Sequence, residues 1–393
     1  MTVRLYYDDS YLRQFEAAVT GAAEGGRKVY LDRSAFYPAS GGQPCDYGEI
    51  GGVRVVDVQE EGDRVAHWVE SALSGERVSC RIDWARRFDH MQQHTGQHLL
   101  SAVLMELFGY QTVSFHLGEE SSTIDIEAES LAADQVRQAE RRANQIVFEN
   151  RPVRVLYADS SSGDLGLRKA SDRSGELRIV EIEGCDRSAC GGTHVRATGE
   201  IGPVLIRKLD KIRGNVRIEF LCGGRAVARA RADYEALSRI SRSLCVPLDE
   251  APALVETQME RLGAAEKAAK KLAIELAGWQ GRELHRETAP DDRGFRVAWR
   301  CGLKGALGEE CRATAQAFAS GGKAIFIASS SDPPSVLLCV SADSGLNAGQ
   351  IVKAAVASAG GRGGGNSQIA QGSVPSQENL PPVLEFIRTS IVR

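Results

Sequence analysis

Apolar and polar positions divide the chain into four stretches. Up to about residue 85, short alternating runs such as 27–31 and 53–58 are broken by glycine and aspartate turns. Period-two alternation at that spacing predicts strands and suits a small β-barrel. Beyond it, Leu99, Leu100, Val103, Leu104 and Leu107 form a stripe at helical spacing. A strand at 122–127, a polar helix near 134–149 and strands at 153–157 and 177–182 follow. A hairpin then runs 204–208 and 216–220 around Arg213-Gly214-Asn215, so 86–224 reads as mixed α+β. Residues 225–286 read as helical. Val255, Leu262, Ala265, Ala269, Leu272, Leu276 and Trp279 recur in steps of three and four, a coiled-coil-like seam with a weak spot at Gln258. After a linker at 287–293, marked by Pro290 and Gly294, strand and helix alternate: 295–299, 308–318, 324–329, 336–340 and a helix from 348. That is an α/β pattern. The expected architecture is therefore an α+β and α/β multidomain chain: a β-barrel (1–85), a mixed domain (86–224), a helical linker (225–286) and an α/β domain (287–393).

Composition narrows this little. The chain has 393 residues, 42% hydrophobic and 25% charged, with a net charge of −4. A nucleic-acid surface on such a chain has to be local. The nine cysteines lack framework spacing and no signal-peptide pattern opens the sequence, which points to free thiols in a reducing cytoplasm. No apolar run approaches the ~18 residues that span a membrane.

The chemistry concentrates in two short segments. His94 and His98 lie one turn apart on the striped helix, where two imidazoles share one face. Cys190 and His194 are separated by Gly191, Gly192 and Thr193, and the two glycines let the backbone fold tightly and a ligand approach closely. One HxxxH alone is common on amphipathic helices. With a CxxxH it becomes a four-ligand set whose nitrogen and sulfur donors favour tetrahedral Zn²⁺, one per chain. A peptidase reading fails, because Thr95 stands where HExxH needs its glutamate. His90, one turn earlier, reads as a residue behind the ligands, a substrate-facing residue or a solvated helix start.

Two further features stand out. Residues 35–46 hold Gly41, Gly42, Pro38 and Pro44 around an isolated Gln43 and Asp46: a shaped loop, or a plain hairpin turn. The run Gly360-Gly361-Arg362-Gly363-Gly364-Gly365-Asn366 is too glycine-rich to read as a strand. It suits a loop whose backbone N–H groups cradle phosphate, with Arg362 helping; no GK[ST] follows, so it is not a Walker A loop. Lys208, Lys211, Arg213 and Arg217 make the 204–220 hairpin basic, either solvated surface or a phosphate contact.

Taken in order, AFYPASGGQPCDYGEI, HTGQHLL, ACGGTHV, TGEIGPVLIRKLDKIRGNVRIEF and GGRGGGNSQIAQG resemble the segments of the alanyl-tRNA editing family, in its long form with a C-terminal DHHA1 domain. The resemblance covers nearly the whole chain and includes no class II aminoacylation pattern, so it implies editing without synthesis. It implies zinc on His94, His98, Cys190 and His194, an active-site role for Gln43, and RNA contact at Gly363, Gly364, Gly365 and Asn366. Cys185, five residues before Cys190, is a competing ligand that the family pattern does not favour. The implied reaction is ester hydrolysis of mischarged tRNA(Ala), chiefly seryl- and also glycyl-tRNA. An alanine pocket rejects serine by only ~10²-fold in a comparable case, so a second site that hydrogen-bonds the hydroxyl is needed. Ser40, Gln43 and Thr193 are the polar groups expected there, although Ser40 and Thr193 also suit local turn hydrogen bonds. Gly41, Gly42, His90, Gly191 and Gly192 are expected to line the substrate, and Lys211, Arg213, Arg217 and Arg362 to meet tRNA. Two other readings remain: editing of seryl-tRNA(Thr), and a non-catalytic RNA-binding protein with structural zinc. The helical seam or the C-terminal domain is expected to support a homodimer.

Overall fold

The computed structural model describes residues 1–171 and 174–392. By internal contacts the chain divides into two units, Met1–Ile240 and Ser241–Arg393.

The first unit opens with a two-residue parallel pair, β1 (Val3–Arg4) with β4 (Arg33–Ser34). Six strands then pair in a closed antiparallel ring: β2 (Gln14–Ala23), β3 (Lys28–Leu31), β7 (Arg64–Val69), β6 (Val53–Glu61), β5 (Gly48–Ile50) and β8 (Arg77–Ile82), which returns to β2. Alternation sets the inside of the ring. In β8, Val78, Cys80 and Ile82 are buried while Arg77, Ser79 and Arg81 are exposed. They join Val29, Leu31, Ile50, Val55, Val58 and Val65 in one apolar core.

Helix α1 (Trp84–Phe108) follows. Asp83 caps it by accepting from the Arg86 amide at 3.2 Å, and Gly109 ends it at φ +70°, the left-handed stop that glycine tolerates. Gly96, inside the helix, has a reason to be glycine: a Cβ there would lie 2.2 Å from the Cys222 Sγ. Arg87 ties α1 to the 35–46 loop. Both it and Asp46 have fully buried side chains; Arg87 Nε donates to both Asp46 oxygens at 3.0 Å, and its amino groups donate to the carbonyls of Ser10 at 2.8 Å and Ala35 at 2.5 Å. The rest of the unit carries β9 (Thr112–Leu117), β10 (Ser122–Ile126), α2 (Ala133–Glu149), β11 (Val153–Asp159), β12 (Glu176–Ile182), β13 (Asp186–Ala189), β14 (Val204–Ile212), β15 (Asn215–Cys222) and α3 (Gly223–Leu244). These form a four-stranded sheet, β14-β15-β10-β9, and a three-stranded one, β11-β12-β13.

The predicted helical stretch is two helices. α3 ends at Leu244, Cys245 takes φ +55°, and α4 (Ala251–Glu287) restarts beyond Pro247. In the second unit α4 packs on α5 (Glu309–Ala319) so closely that a Cβ on Gly281 would meet the Thr314 carbonyl at 2.2 Å. A mixed sheet runs β16 (Arg296–Lys304), β17 (Ala324–Asp332), β18 (Pro334–Val340), β20 (Ile369–Ser373) and β19 (Arg362–Gly365), parallel only at β16–β17. α6 (Ala348–Ala357) and α7 (Leu380–Val392) bury Val352, Val356, Val383 and Ile387 with it in one core.

The glycine run corrects the sequence reading: Arg362–Gly365 is the edge strand β19. Backbone pairing with β20 holds it, and close packing excludes side chains at Gly363 and Gly365. A Cβ on Gly363 would lie 2.8 Å from the Gly372 Cα, and one on Gly365 would lie 2.2 Å from the Ile369 carbonyl. Asn366 closes the hairpin, its side-chain oxygen accepting from the amides of Gln368 at 2.9 Å and Ile369 at 2.8 Å. Among the described residues no helix is long and apolar enough to cross a membrane.

Candidate metal centre

α1 projects His94 and His98 from one face, and the turn after β13 brings Cys190 and His194 to them. One donor atom from each of the four lies within 4.8 Å of the others. The Cys190 Sγ stands 3.5 Å from His94 Nε2 and 3.3 Å from His194 Nε2. A tetrahedron with Zn–S of about 2.3 Å and Zn–N of about 2.05 Å has an S···N edge of about 3.5 Å.

The far nitrogen of each imidazole is also held. His94 Nδ1 donates to the Gln43 Oε1 at 2.9 Å, His98 Nδ1 to the Asp186 carboxylate at 3.0 Å, and His194 Nδ1 bonds the Thr95 hydroxyl at 3.1 Å. Three separate parts of the chain thus fix three rings with Nε2 facing the cluster, the arrangement that metal-bound histidines require. All three histidines are buried. Burial alone would raise the Cys190 thiol, but His94 and His194 beside it hold it well below its ordinary value. Burial depresses His194 to about 3, keeping it neutral as a ligand must be. At His98 burial is outweighed by Asp186 and Cys190, which raise it, and at Asp186 by His98 and Arg168, which lower it. The residues fit a zinc ion.

Gly192 seals one side. A Cβ there would lie 2.2 Å from His94 Cε1 and 3.0 Å from Gln43 Oε1. Beside the cluster is a cavity of about 480 Å³, lined in part by Tyr37, Ser40, Gly41, His94, Cys190 and Gly191.

Residues 305–393 match the DHHA1 domain family, and residues 177–219 match the threonyl and alanyl tRNA synthetase second additional domain. The alanyl-tRNA editing protein AlaX-L of Pyrococcus horikoshii is 33% identical over 304 residues, covering 73% of this chain and 74% of that protein. The chain belongs to the alanyl-tRNA editing protein family. Another member, Aarsd1 of Mus musculus, is 37% identical over 240 residues, 56% of this chain and 58% of its own. The alanine–tRNA ligase of Korarchaeum cryptofilum is 32% identical over 393 residues, 95% of this chain but only 43% of that enzyme. The chain spans less than half the length of the ligases it matches.

Within this family member the predicted residues separate into groups. The four ligand residues converge. Ser40 and Gly41 are exposed and line the cavity, while a Cβ on Gly42 would lie 3.0 Å from the Phe115 ring. Gln43 is only 2% exposed, and both polar atoms of its side chain are engaged: Oε1 also accepts from the Thr193 amide at 3.1 Å, and Nε2 donates to the Thr193 hydroxyl at 2.8 Å. Thr193 is buried with it. His90 is no solvated helix start. It is buried, depressed to about 3 by that burial and then by Arg86, Arg225 and Arg87, and three arginines make a poor setting for a cation. Arg217 is committed to Asp125 at 2.6 and 2.8 Å, whereas Lys211 and Arg213 are exposed without an ion-pair partner among the described residues. Cys185 stays outside the cluster.

Asp186, Thr95 and Arg168 escaped the sequence reading. The available signal was chemical: each metal-bound imidazole needs an acceptor for its second nitrogen. Thr95 stands between the two histidines, and Asp186 four residues before Cys190.

Proposed function

We propose that the chain is a zinc-dependent hydrolase that deacylates mischarged tRNA(Ala) in the cytoplasm, chiefly the seryl and also the glycyl ester. The observation that carries this reading is the set of four converging donors, with every imidazole locked from behind, beside a cavity that His94, His98 and Cys190 line. The chain's similarity to alanyl-tRNA editing proteins agrees with it.

When bound, zinc supplies a fixed positive charge in the cavity wall, against which an ester carbonyl polarises. The chain's own residues bind and orient. Ser40 meets the seryl hydroxyl: it is exposed on the loop, lines the cavity, and its hydroxyl has no protein partner among the described residues. Gln43 is a positioning residue, holding His94 on one side and Thr193 on the other. Gly41, Gly191 and Gly192 let the substrate approach the backbone, as glycine allows. Lys211, Arg213 and Arg362 contact tRNA phosphate, joined by backbone groups at the outer edge of Gly363, Gly364 and Gly365. The apolar stripe on α4, where Leu262, Leu272, Leu276 and Trp279 are 53%, 64%, 59% and 64% exposed, meets a second copy.

Single-turnover deacylation with seryl-, glycyl- and alanyl-tRNA(Ala) and with seryl-tRNA(Thr) tests the reading. Rapid loss of the seryl ester from tRNA(Ala), with the alanyl ester spared, is expected. Equal or faster loss from tRNA(Thr) assigns the chain to the other editing reaction. No hydrolysis by zinc-loaded protein leaves only an RNA-binding role.

A further inference from the structure

A seryl group fills little of a cavity of about 480 Å³, a volume in the range of small-molecule sites. Part of the remaining wall is cationic. Arg168 and Lys169 are consecutive in sequence, and both line it. Arg168 is built in: its side chain is 15% exposed, Nε donates to Asp186 at 2.6 Å and Nη2 to the Ser188 hydroxyl at 3.1 Å. Asp186 is itself fully buried and spends its second oxygen on His98 and the Ser188 hydroxyl. The guanidinium is therefore fixed before any ligand arrives, and its Nη1 has no hydrogen-bond partner among the described residues, so a donor is left for an oxyanion and little entropy is lost when one meets it. Lys169 is exposed and has no acidic partner among the described residues. The other cation on the wall, Arg4, is already spent on Glu60 and the Gly62 carbonyl.

Such a pair suits an anion. A substrate whose ester sits on a ribose carries its nearest anion as the phosphate on the same sugar. We propose that Arg168 and Lys169 form a subsite for the 5′-phosphate of the substrate's terminal nucleotide, an inference that rests on the deacylase reading above.

The test uses the zinc-loaded full chain and two stable amide mimics, 3′-seryl-amino-3′-deoxyadenosine with and without a 5′-phosphate, titrated calorimetrically. A charge-assisted contact gives the phosphorylated mimic roughly tenfold or greater advantage. Lys169→Ala and Arg168→Ala each reduce that advantage severalfold, and Lys169→Ala leaves affinity for the unphosphorylated mimic unchanged. Zinc content, measured in parallel, separates a lost phosphate contact from a disturbed His98 in Arg168→Ala. Equal affinity of the wild-type chain for both mimics overturns the subsite while leaving the deacylase reading intact. An advantage that survives in both variants also overturns it. Failure to bind either mimic overturns both.

Discussion

Replacing Gln43 with alanine separates two ways of being essential. Its amide accepts from His94 Nδ1 and the Thr193 amide and donates to the Thr193 hydroxyl, all in a buried setting. Truncation leaves two buried N–H donors without an acceptor, at about 1–3 kcal/mol each, so a loss of about 3 kcal/mol is expected. In a unit of this size that lowers Tm by roughly 6–12 °C. His94 also loses the partner that aims Nε2, and removing such a partner typically weakens metal binding by about 10–100-fold. Chelator competition should therefore show weaker zinc binding, with slower single-turnover deacylation that excess zinc partly restores. Had Gln43 stood free on a glycine loop, as the sequence suggests, activity would fall with zinc and fold untouched. That outcome, wild-type zinc affinity and Tm with deacylation abolished, would refute the positioning role and place Gln43 against substrate.

Four other outcomes follow from the geometry. Cys190→Ala should reduce bound zinc, measured by elemental analysis, from about one per chain to near zero and abolish deacylation; full occupancy would dissolve the site. His67, buried in the ring and bonded to Ser34 at 2.7 Å, is depressed by burial to about 4. Its neutral form favours the fold, so that stability is complete above about pH 6.5 and is lost as pH falls towards 4, about 3 kcal/mol in all; denaturant titrations of His67→Gln should show a flatter acid limb, and an identical limb counts against it. Arg87→Met strands the buried Asp46 and should cost about 3–5 kcal/mol in urea unfolding, whereas a loss under about 1 kcal/mol would mean that Asp46 finds another partner. Leu262→Glu with Leu272→Glu should convert a dimer into a monomer in sedimentation, and an unchanged mass removes α4 from the interface.

Legibility from sequence followed the range of the interactions. The HxxxH helix was readable because its apolar stripe and its two ligands obey one local period, and the hairpin of β14 and β15 because its turn residues sit between alternating runs. The acceptors behind the ligands were not, since Asp186 reaches His98 across 88 positions and Gln43 reaches Thr193 across 150. No periodicity encodes such pairings. His90 shows the limit of a shared helical face: one turn of helix moves it from the metal cluster to a nest of arginines. β19 shows tertiary packing overriding propensity, because positions 363 and 365 are pressed so closely against β20 that only glycine fits there.

The three acceptors behind the imidazoles come from the 35–46 loop, from α1 and from β13, and the fourth ligand from the turn beyond. They are spread from position 43 to position 194 and meet only when the unit folds, so an ion that needs this arrangement has affinity for the folded unit alone. Mass action then links metal supply to the folding equilibrium: each tenfold excess of free zinc over its dissociation constant adds about 1.4 kcal/mol, and a thousandfold excess about 4 kcal/mol. With zinc as that ion, the melting temperature would read the surrounding zinc concentration, and depletion of the metal would shorten the lifetime of the chain by the same equilibrium.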